Sequence, residues 1–277
     1  MKYLLSLFLV LLPPLALAQT YYVDSASYLS KAHIKLHERS YYEEHSTAYT
    51  YTNDEGLTMP YRLFFPPNYD VQKTYPILIY LHGAGSRGDD NLKQLRSWVA
   101  GWMDEDLQAQ HPCLILMPQC PAKQQWVNVP WKEGSYDFKT LPISQPLQLA
   151  KEVVDKVINE NAVDRHRIYV MGCSMGGYGT WNFVMHYPEL VAAAVPICGA
   201  GDPAMAKEIK DLPIWAFHGD QDPTVPLSGS TDMMEALSSF KDNKARLTIY
   251  EGVGHNAYEM AWREIELMEW VFSQKKP

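Results

Sequence analysis

The chain has 277 residues, of which 47% are hydrophobic and 20% are charged. This composition is typical of a folded protein with a large buried core, and it argues against a disordered chain. The formal net charge of −8 and the absence of a basic stripe argue against a nucleic-acid partner. Four cysteines are too few for a disulfide-framework protein of this length.

The first segment, residues 1–18, has the pattern of a secretory signal peptide. A short, positively charged start precedes an apolar run over residues 4–12, and Ala16 and Ala18 are small residues of the kind that a signal peptidase reads. The run is shorter than the roughly 20 residues that a membrane span needs. We therefore expect cleavage between Ala18 and Gln19, no membrane anchor on the mature chain, and a secreted or periplasmic location.

Strands and helices alternate along most of the remaining chain. Residues 19–45 lack apolar periodicity and are treated as an N-terminal extension, whereas residues 46–277 are predicted to form one α/β catalytic domain. We expect a mostly parallel central sheet with helices on both faces. The predicted strands are residues 45–51, 59–65, 77–81, 114–117, 168–171, 191–197, 214–217 and 245–250. The predicted helices are residues 91–107, 147–159, 178–187, 233–240 and 257–272.

The most informative motif is Gly-Cys-Ser-Met-Gly at residues 172–176. It follows a predicted strand and precedes a predicted helix, which is the setting of a nucleophilic serine held above a sheet. Gly172 and Gly176 provide the clearance that such a tight turn requires. A glycine-rich turn without chemical meaning is the alternative, and the strand–turn–helix setting disfavours it. Ser174 is therefore the predicted nucleophile.

A nucleophilic serine needs a general base, and the base needs an acid that orients it. His255 comes directly after the last predicted strand, and loops at the carboxyl ends of parallel strands meet at one edge of the sheet. The loop after residues 214–217 offers two carboxylates. Asp222 lies further into the loop and can reach His255, whereas Asp220 can bond the backbone of its own turn. We predict Ser174, Asp222 and His255 as the catalytic residues, with activity that falls in acid because the base must be neutral.

Two backbone amides are predicted to stabilise the oxyanion that forms during attack on an ester. One is the N–H of Met175, the residue after the nucleophile, and the other comes from the loop after residues 77–81. That loop reads His-Gly-Ala-Gly-Ser-Arg-Gly, and its glycines permit a close approach of the backbone. We assign the second amide to Ala84.

These segments together resemble the α/β-hydrolase superfamily, within the esterase group that includes dienelactone hydrolases and feruloyl or acetylxylan esterases. The resemblance implies the α/β-hydrolase fold, a serine-esterase mechanism, and the catalytic and oxyanion roles assigned above. Related sequences often carry a prolyl-oligopeptidase-type label, but this chain has no room for the propeller domain of those peptidases. The resemblance is carried by residues 61–69, 81–88, 172–177, 218–222 and 254–255.

The long irregular segment at residues 118–146 follows a strand and should lie over the active site, although a loop of this length can also be disordered. Its Trp126 and Trp131 could stack on an aromatic acyl group or a sugar ring, or fill the core of the segment itself. Arg87 could bind a carboxylate of the substrate, or be exposed without such a contact. The sequence has no metal-ligand set and no phosphate or nicotinamide fingerprint, so we expect no metal and no cofactor.

The expected function is that of a secreted serine esterase acting on a small-molecule or polysaccharide-linked ester. Export and the family resemblance favour feruloyl, cinnamoyl or acetyl esters of plant cell-wall polysaccharide. A general short-chain carboxylesterase, a serine peptidase and a non-catalytic binding protein of the same fold remain alternatives. Export also permits disulfides, but we expect Cys173 and Cys198 to be two buried thiols.

Overall fold

The computed structural model describes residues 19–24, 39–95, 99 and 101–277, so the predicted signal peptide lies outside the described residues. Within these ranges nine strands form a single sheet. The strands are β1 (Gln19–Asp24), β2 (Ser46–Thr52), β3 (Thr58–Phe64), β4 (Tyr75–Leu81), β5 (Leu114–Pro118), β6 (Val163–Cys173), β7 (Ala193–Ile197), β8 (Ile214–Gly219) and β9 (Ala245–Glu251). The helices are α1 (Arg39–Glu44), α2 (Glu105–Gln110), α3 (Gln145–Glu160), α4 (Met175–His186), α5 (Ser228–Ser238), α6 (Tyr258–Ala261) and α7 (Ile265–Ser273).

The order of the strands across the sheet is β1-β9-β8-β7-β6-β4-β5-β3-β2. In this order, each neighbouring pair from the β1 edge of the sheet as far as β5 is parallel. The two remaining pairs, β5 with β3 and β3 with β2, are antiparallel. The prediction of a mostly parallel α/β sheet is therefore confirmed. Parallel pairing places the carboxyl ends of β4 to β9 along one edge, where the loops with the predicted site residues begin.

The sheet is covered on both faces, and the inner strand β4 shows this residue by residue. In β4, Ile77 and Ile79 pack into one hydrophobic core while Leu78 and Tyr80 pack into the other. Side chains of a strand alternate between faces, so a continuous apolar run is what two cores require. Helices α3, α4 and α5 contribute to the first core, and α6 and α7 contribute to the second. Across the described part of the chain, no helix has the length and apolar character needed to cross a membrane.

Two of the predicted helices are wrong as continuous elements. In place of one helix over residues 91–107, the described part has turns near residues 91–95, a 3-10 turn at Gly101–Met103, and α2. Asp104 begins α2, because its carboxylate accepts hydrogen bonds from the amides of Asp106 and Leu107 at 3.0 and 3.3 Å. Val99 is helical, whereas Leu95 and Met103 are not in an α-helix, so the buried side chains at helical spacing do not share one continuous helix in the described part.

The predicted helix over residues 257–272 is likewise divided. A 3-10 turn at His255–Ala257 leads into α6, and α7 begins only at Ile265. Between them the amides of Arg263 and Glu264 bond the carbonyls three residues earlier, at 3.0 and 3.2 Å. This tightening of the chain separates the short α6 beside His255 from the longer α7 in the second core.

Part of the N-terminal extension belongs to the sheet. Strand β1 pairs in parallel with β9, with Gln19 opposite Arg246 and Asp24 opposite Glu251. The short helix α1 places Tyr42 in the second core, where the side chain is 1% exposed. The described residues of this extension, whose structure the sequence left open, therefore supply an edge strand and a helix. As expected, Cys173 and Cys198 are buried free thiols.

Candidate active site

Ser174 lies in the turn between β6 and α4, at the carboxyl edge of the sheet. Its backbone has φ 55° and ψ −121°, a conformation that residues other than glycine rarely adopt. The Ser174 amide donates a hydrogen bond to the Ile197 carbonyl of β7 at 2.8 Å, which fixes the turn to the neighbouring strand. Strain of this kind persists where the surroundings enforce it, and it is common at active sites.

The glycines around Ser174 are there because the turn has no space for a side chain. A Cβ atom on Gly176 would lie 1.8 Å from the carbonyl oxygen of Leu81, at the end of β4. A Cβ on Gly172 would lie 2.3 Å from the Gly176 oxygen, and one on Gly177 would lie 2.4 Å from the Ile197 oxygen. These distances support the explanation that the sequence suggested for the motif.

The structure brings together the three side chains predicted from the sequence. The Nε2 atom of His255 lies 2.8 Å from Oγ of Ser174, and its Nδ1 atom lies 2.7 Å from Oδ2 of Asp222. A carboxylate only accepts, so Nδ1 carries the proton and Nε2 is free to accept the proton of the serine hydroxyl. The His255 side chain is 24% exposed and the Asp222 side chain is fully buried. The histidine therefore faces the cavity while the acid is enclosed behind it.

Four groups surround the buried carboxylate of Asp222. Its Oδ1 accepts from the amides of Thr224 and Val225 at 2.8 and 3.0 Å, and its Oδ2 faces the rings of His255 and His218. Burial alone would raise the pKa of Asp222. The hydrogen bonds from His218, His255 and the two amides outweigh this effect and hold the pKa well below its usual range. Asp222 is therefore ionised at neutral pH.

The other candidate acid, Asp220, has a different partner. Its Oδ1 accepts a hydrogen bond from the amide of Gly252 at 2.7 Å and so joins the loop after β8 to the loop after β9. The sequence suggested that Asp220 could bond the backbone of its own turn, and the structure shows a bond to the neighbouring loop. Of the two carboxylates, it is Asp222 that the structure places on His255.

The two predicted oxyanion donors lie beside the serine. Met175 is the first residue of α4, so its amide has no acceptor within the helix. Ala84 begins a 3-10 turn, Ala84–Ser86, directly after β4 and lines the same cavity as Ser174. The amino end of α4 also favours negative charge at this position. Ala84 and Ser174 thus share one cavity, and the role of the two amides as oxyanion donors stays a prediction.

The cavity in front of Ser174 has a volume of about 310 Å³. Besides the serine, the histidine and the loop after β4, its walls include Thr224, Trp131 and Tyr258. The Tyr258 ring meets the His255 ring edge-on, with 6.3 Å between centroids. This volume is at the small end of the range for ligand sites, which is about 300–1,000 Å³. The sequence pattern did not single out Thr224 or Tyr258, although each follows a triad residue within three positions.

The two tryptophans of residues 118–146 have separate roles. Trp126 is fully buried, its Nε1 donates to the His82 carbonyl at 2.9 Å, and its own carbonyl accepts from Ser144 at 2.6 Å. The expectation that Trp126 stacks on a substrate is therefore wrong, because the ring is enclosed in the core. Trp131 is partly exposed and lines the cavity.

Arg87 connects the loop after β4 to the segment above it. Its Nε donates to the Ala84 carbonyl at 2.9 Å, and its Nη1 donates to the Gln124 carbonyl at 3.4 Å. The guanidinium also lies 5.9 Å from the centre of the Trp131 ring, within the range of a cation–π contact. These contacts brace the loop that carries Ala84. A contact between Arg87 and a substrate carboxylate stays a prediction.

Potential metal ligands occur together behind the triad, where ligand atoms of Cys198, His218 and Asp222 lie within 4.8 Å of one another. The Nε2 atom of His218 is 3.1 Å from the Val225 carbonyl, which can only accept, so this nitrogen carries a proton and is not available to a metal. Hydrogen bonding around the Asp222 carboxylate accounts for this arrangement.

Comparison with known proteins places this geometry in a family. The phospholipase/carboxylesterase family model matches residues 69–266. A crystal structure of a thermostable esterase is 37% identical, with a TM-score of 0.77 over 84% of this chain and 64% of that chain. A variant of the feruloyl esterase module from Clostridium thermocellum, in complex with sinapinate, is 16% identical with a TM-score of 0.63 and covers 95% of this chain and 97% of that chain.

A curated relative is also an esterase by name, but the match covers only a small part of that longer protein. The bifunctional acetylxylan esterase/xylanase XynS20E of Neocallimastix patriciarum is 24% identical over 174 residues, which are 62% of this chain and 22% of that protein. The chain thus spans about a fifth of this relative. The family match covers well over half of the chain. This protein belongs to the phospholipase/carboxylesterase family and has the α/β-hydrolase fold.

Proposed function

We propose that this protein is a serine esterase that hydrolyses carboxylic esters through an acyl-enzyme intermediate. The proposal rests on one observation, the continuous hydrogen-bonded chain from Ser174 through His255 to Asp222, with distances of 2.8 and 2.7 Å. Family membership and the 37% identical esterase structure support the same activity. A binding protein of this fold would have no need for the complete set of three side chains.

In the first half of the reaction, Oγ of Ser174 attacks the ester carbonyl carbon while Nε2 of His255 takes the hydroxyl proton. The carbonyl oxygen becomes an oxyanion, which the amides of Met175 and Ala84 stabilise. The ionised Asp222 stabilises the imidazolium. His255 then gives its proton to the leaving alcohol oxygen, and the bond between that oxygen and the acyl carbon breaks.

In the second half, water replaces the alcohol. His255 takes a proton from water as the water oxygen attacks the acyl carbon attached to Ser174, and the same amides stabilise the second oxyanion. The proton then passes from His255 to Oγ of Ser174 as the ester bond to the serine breaks. The free acid leaves, and the resting state is restored without any cofactor.

The walls of the cavity support two kinds of acyl group. Trp131 and Tyr258 give it aromatic sides, and a volume of about 310 Å³ suits one aromatic acyl group or a short aliphatic one. We therefore propose feruloyl or cinnamoyl esters as the first substrate class and acetyl esters as the second. The match to part of a bifunctional acetylxylan esterase/xylanase supports acetylated xylan as one source of such esters.

The deciding experiment compares methyl ferulate, p-nitrophenyl acetate and a chromogenic prolyl peptide, each with the wild-type protein and with Ser174→Ala. We expect cleavage of both esters, no cleavage of the peptide, and no activity of the alanine variant. Cleavage of the acetate alone would favour a general short-chain carboxylesterase. Cleavage of the peptide would favour a peptidase. Equal inactivity of both proteins on all three substrates would contradict the esterase proposal and favour a binding protein.

We also propose that the protein is exported, with cleavage between Ala18 and Gln19. Cleavage at this bond would leave the whole of β1 on the mature chain, so the sheet edge at β9 would stay paired. N-terminal sequencing of protein recovered outside the cytoplasm should begin at Gln19. Recovery of the chain only inside the cytoplasm, with Met1 or Lys2 at its start, would contradict export.

A further inference from the structure

His218 lies directly behind the acid of the site and was not part of the predicted triad. It is the penultimate residue of β8, its side chain is fully buried, and both ring nitrogens have partners. Nδ1 lies 2.8 Å from Oγ of Ser230, and Nε2 lies 3.1 Å from the Val225 carbonyl and 3.5 Å from Oδ2 of Asp222. The ring therefore connects α5, the loop after β8 and the carboxylate of the triad.

The partners of His218 determine where its proton lies. The Val225 carbonyl and the Asp222 carboxylate are both acceptors, so Nε2 carries the proton; it donates to the Val225 carbonyl at 3.1 Å, and Oδ2 of Asp222 lies 3.5 Å away as a longer electrostatic contact. Nδ1 then accepts the hydroxyl proton of Ser230, whose side chain is also buried. This assignment satisfies every polar atom of the ring. It also points a fixed N–H dipole at the oxygen that accepts from His255.

The hydrogen bond from His218 to the Val225 carbonyl holds the same backbone segment that binds the Asp222 carboxylate. The amides of Thr224 and Val225 donate to Oδ1 of Asp222, and the Val225 carbonyl is held by His218 on the other side of the same peptide segment. His218 thus acts on Asp222 both directly at Oδ2 and indirectly through the segment that binds Oδ1. Without the ring, Oδ2 would keep only the bond to His255, and the loop would lose its anchor on β8.

We propose that His218 is a positioning residue that, together with Ser230, fixes the Asp222 carboxylate at the angle required to orient His255. The proposal rests on the proposed esterase function for its kinetic consequence. Its geometric core, the orientation of Asp222 towards Nδ1 of His255, does not need a substrate. The network then runs through five side chains: Ser230, His218, Asp222, His255 and Ser174.

The first test uses steady-state kinetics on p-nitrophenyl acetate with the full chain. His218→Leu should lower kcat by about 10–100-fold with KM nearly unchanged; this magnitude is typical of outer partners that orient functional groups at metal sites. His218→Gln, whose amide can donate from the position of Nε2, should recover most of kcat. Ser230→Ala should give a smaller loss with the same signature. Ser238→Ala, at the exposed end of the same helix, is the matched control and should match the wild type.

The second test is a proton NMR spectrum of the low-field region, which needs no substrate. The proton on Nδ1 of His255, bonded to Asp222 at 2.7 Å, should give a low-field resonance that disappears in His255→Gln. We expect this resonance to shift or vanish in His218→Leu and to remain in His218→Gln. A wild type that cleaves no ester would refute the proposed function, whereas this spectrum would still decide the positioning role.

Two results would overturn the proposal. One is a His218→Leu variant with the wild-type kcat and an unchanged resonance. The other is a variant in which KM rises while kcat and the resonance stay the same, because a mere shift of the loop would move Thr224 in the cavity wall without disturbing Asp222. If His218→Leu does not fold, Ser230→Ala decides by the same two readouts, since it removes one hydroxyl and leaves the ring in place.

Discussion

The loop after β8 presents two aspartates, two positions apart, with different partners. Asp222 binds His255, and Asp220 binds the amide of Gly252. Asp222→Asn should lower kcat by about 10⁴-fold, as the equivalent change does in serine proteases, because an amide in place of the carboxylate favours the wrong tautomer of the histidine. Asp220→Asn is the matched control, and its kcat should stay within about twofold of the wild type. Steady-state hydrolysis of p-nitrophenyl acetate measures both.

The reverse pattern, with Asp220→Asn inactive and Asp222→Asn active, would show that the acid lies at the other position. The two variants change the same atoms by the same amount, so a general effect of losing one negative charge is controlled. The folded fraction of each variant should be measured by circular dichroism and by a thermal denaturation curve, neither of which depends on the reactivity of Ser174, so that kcat is corrected for misfolded protein.

The charge of Asp222 also makes a prediction about stability and pH. Hydrogen bonds hold the pKa of Asp222 in the folded protein below that of an unfolded aspartate, which is about 4. Such a group stabilises the fold above the unfolded pKa, and this contribution is lost as the pH falls through the folded pKa. The advantage of the wild type over Asp222→Asn in free energy of unfolding should therefore shrink as the pH falls below about 4. Urea denaturation of both proteins at pH 5 and pH 3 measures it; an advantage that grows in acid would contradict the assignment.

The irregular segment between β5 and α3 places one tryptophan, Trp126, in the core and another, Trp131, in the wall of the cavity. Trp131→Ala removes part of that wall, and kcat/KM for methyl ferulate should fall about 10–100-fold, with a smaller change for p-nitrophenyl acetate. Trp126→Phe leaves the buried His82 carbonyl without its donor, which should cost about 1–3 kcal/mol of stability. Its preference between the two esters should match the wild type. Kinetics on both esters and urea denaturation distinguish the role of Trp131 in the cavity wall from that of Trp126 in the core. Equal effects of the two variants on the preference between the esters would contradict this assignment.

The same segment shows what the sequence could and could not predict about elements. Its length and its position after a strand were enough to place it over the active edge of the sheet. The choice between its two tryptophans depends on which indole reaches the His82 carbonyl, a contact across 44 positions that composition does not reveal. Apolar spacing gave the buried positions between residues 91 and 107, yet it could not show where Asp104 ends one turn and begins another.

Across the whole molecule, the parallel sheet is what made the site predictable. Ser174, Asp222 and His255 follow β6, β8 and β9, whose carboxyl ends lie on one edge, so chain order and strand direction bring them together. His218 precedes the end of β8 and supports Asp222 from inside the fold. Nothing in the local pattern separates such a histidine from one that only fills the core. Its role depends on the distances to Ser230 and Val225, which the assembled structure supplies.

The edge of the sheet beyond β9 was also hidden from the sequence, because β1 pairs with a strand more than two hundred residues away. Gln19 lies opposite Arg246, and the side chains of Tyr21 and Tyr22 are 46% and 64% exposed, so β1 adds backbone pairing more than buried apolar area. A chain that starts at residue 25 should therefore melt only a few degrees lower than one that starts at Gln19.

The main effect of this truncation should be association, because β9 would present an unpaired parallel edge to other molecules. On its other side β9 stays paired with β8, and this pairing holds the end of β9, which His255 follows in the chain. We therefore expect the truncated chain to retain kcat on p-nitrophenyl acetate below its melting temperature. Thermal denaturation and light scattering of the two chains at equal concentration measure both effects. A truncated chain that stays monomeric with the full melting temperature would show that β1 does not protect the edge. Loss of kcat in a folded, monomeric truncated chain would instead show that β1 holds β9, and with it His255, in position.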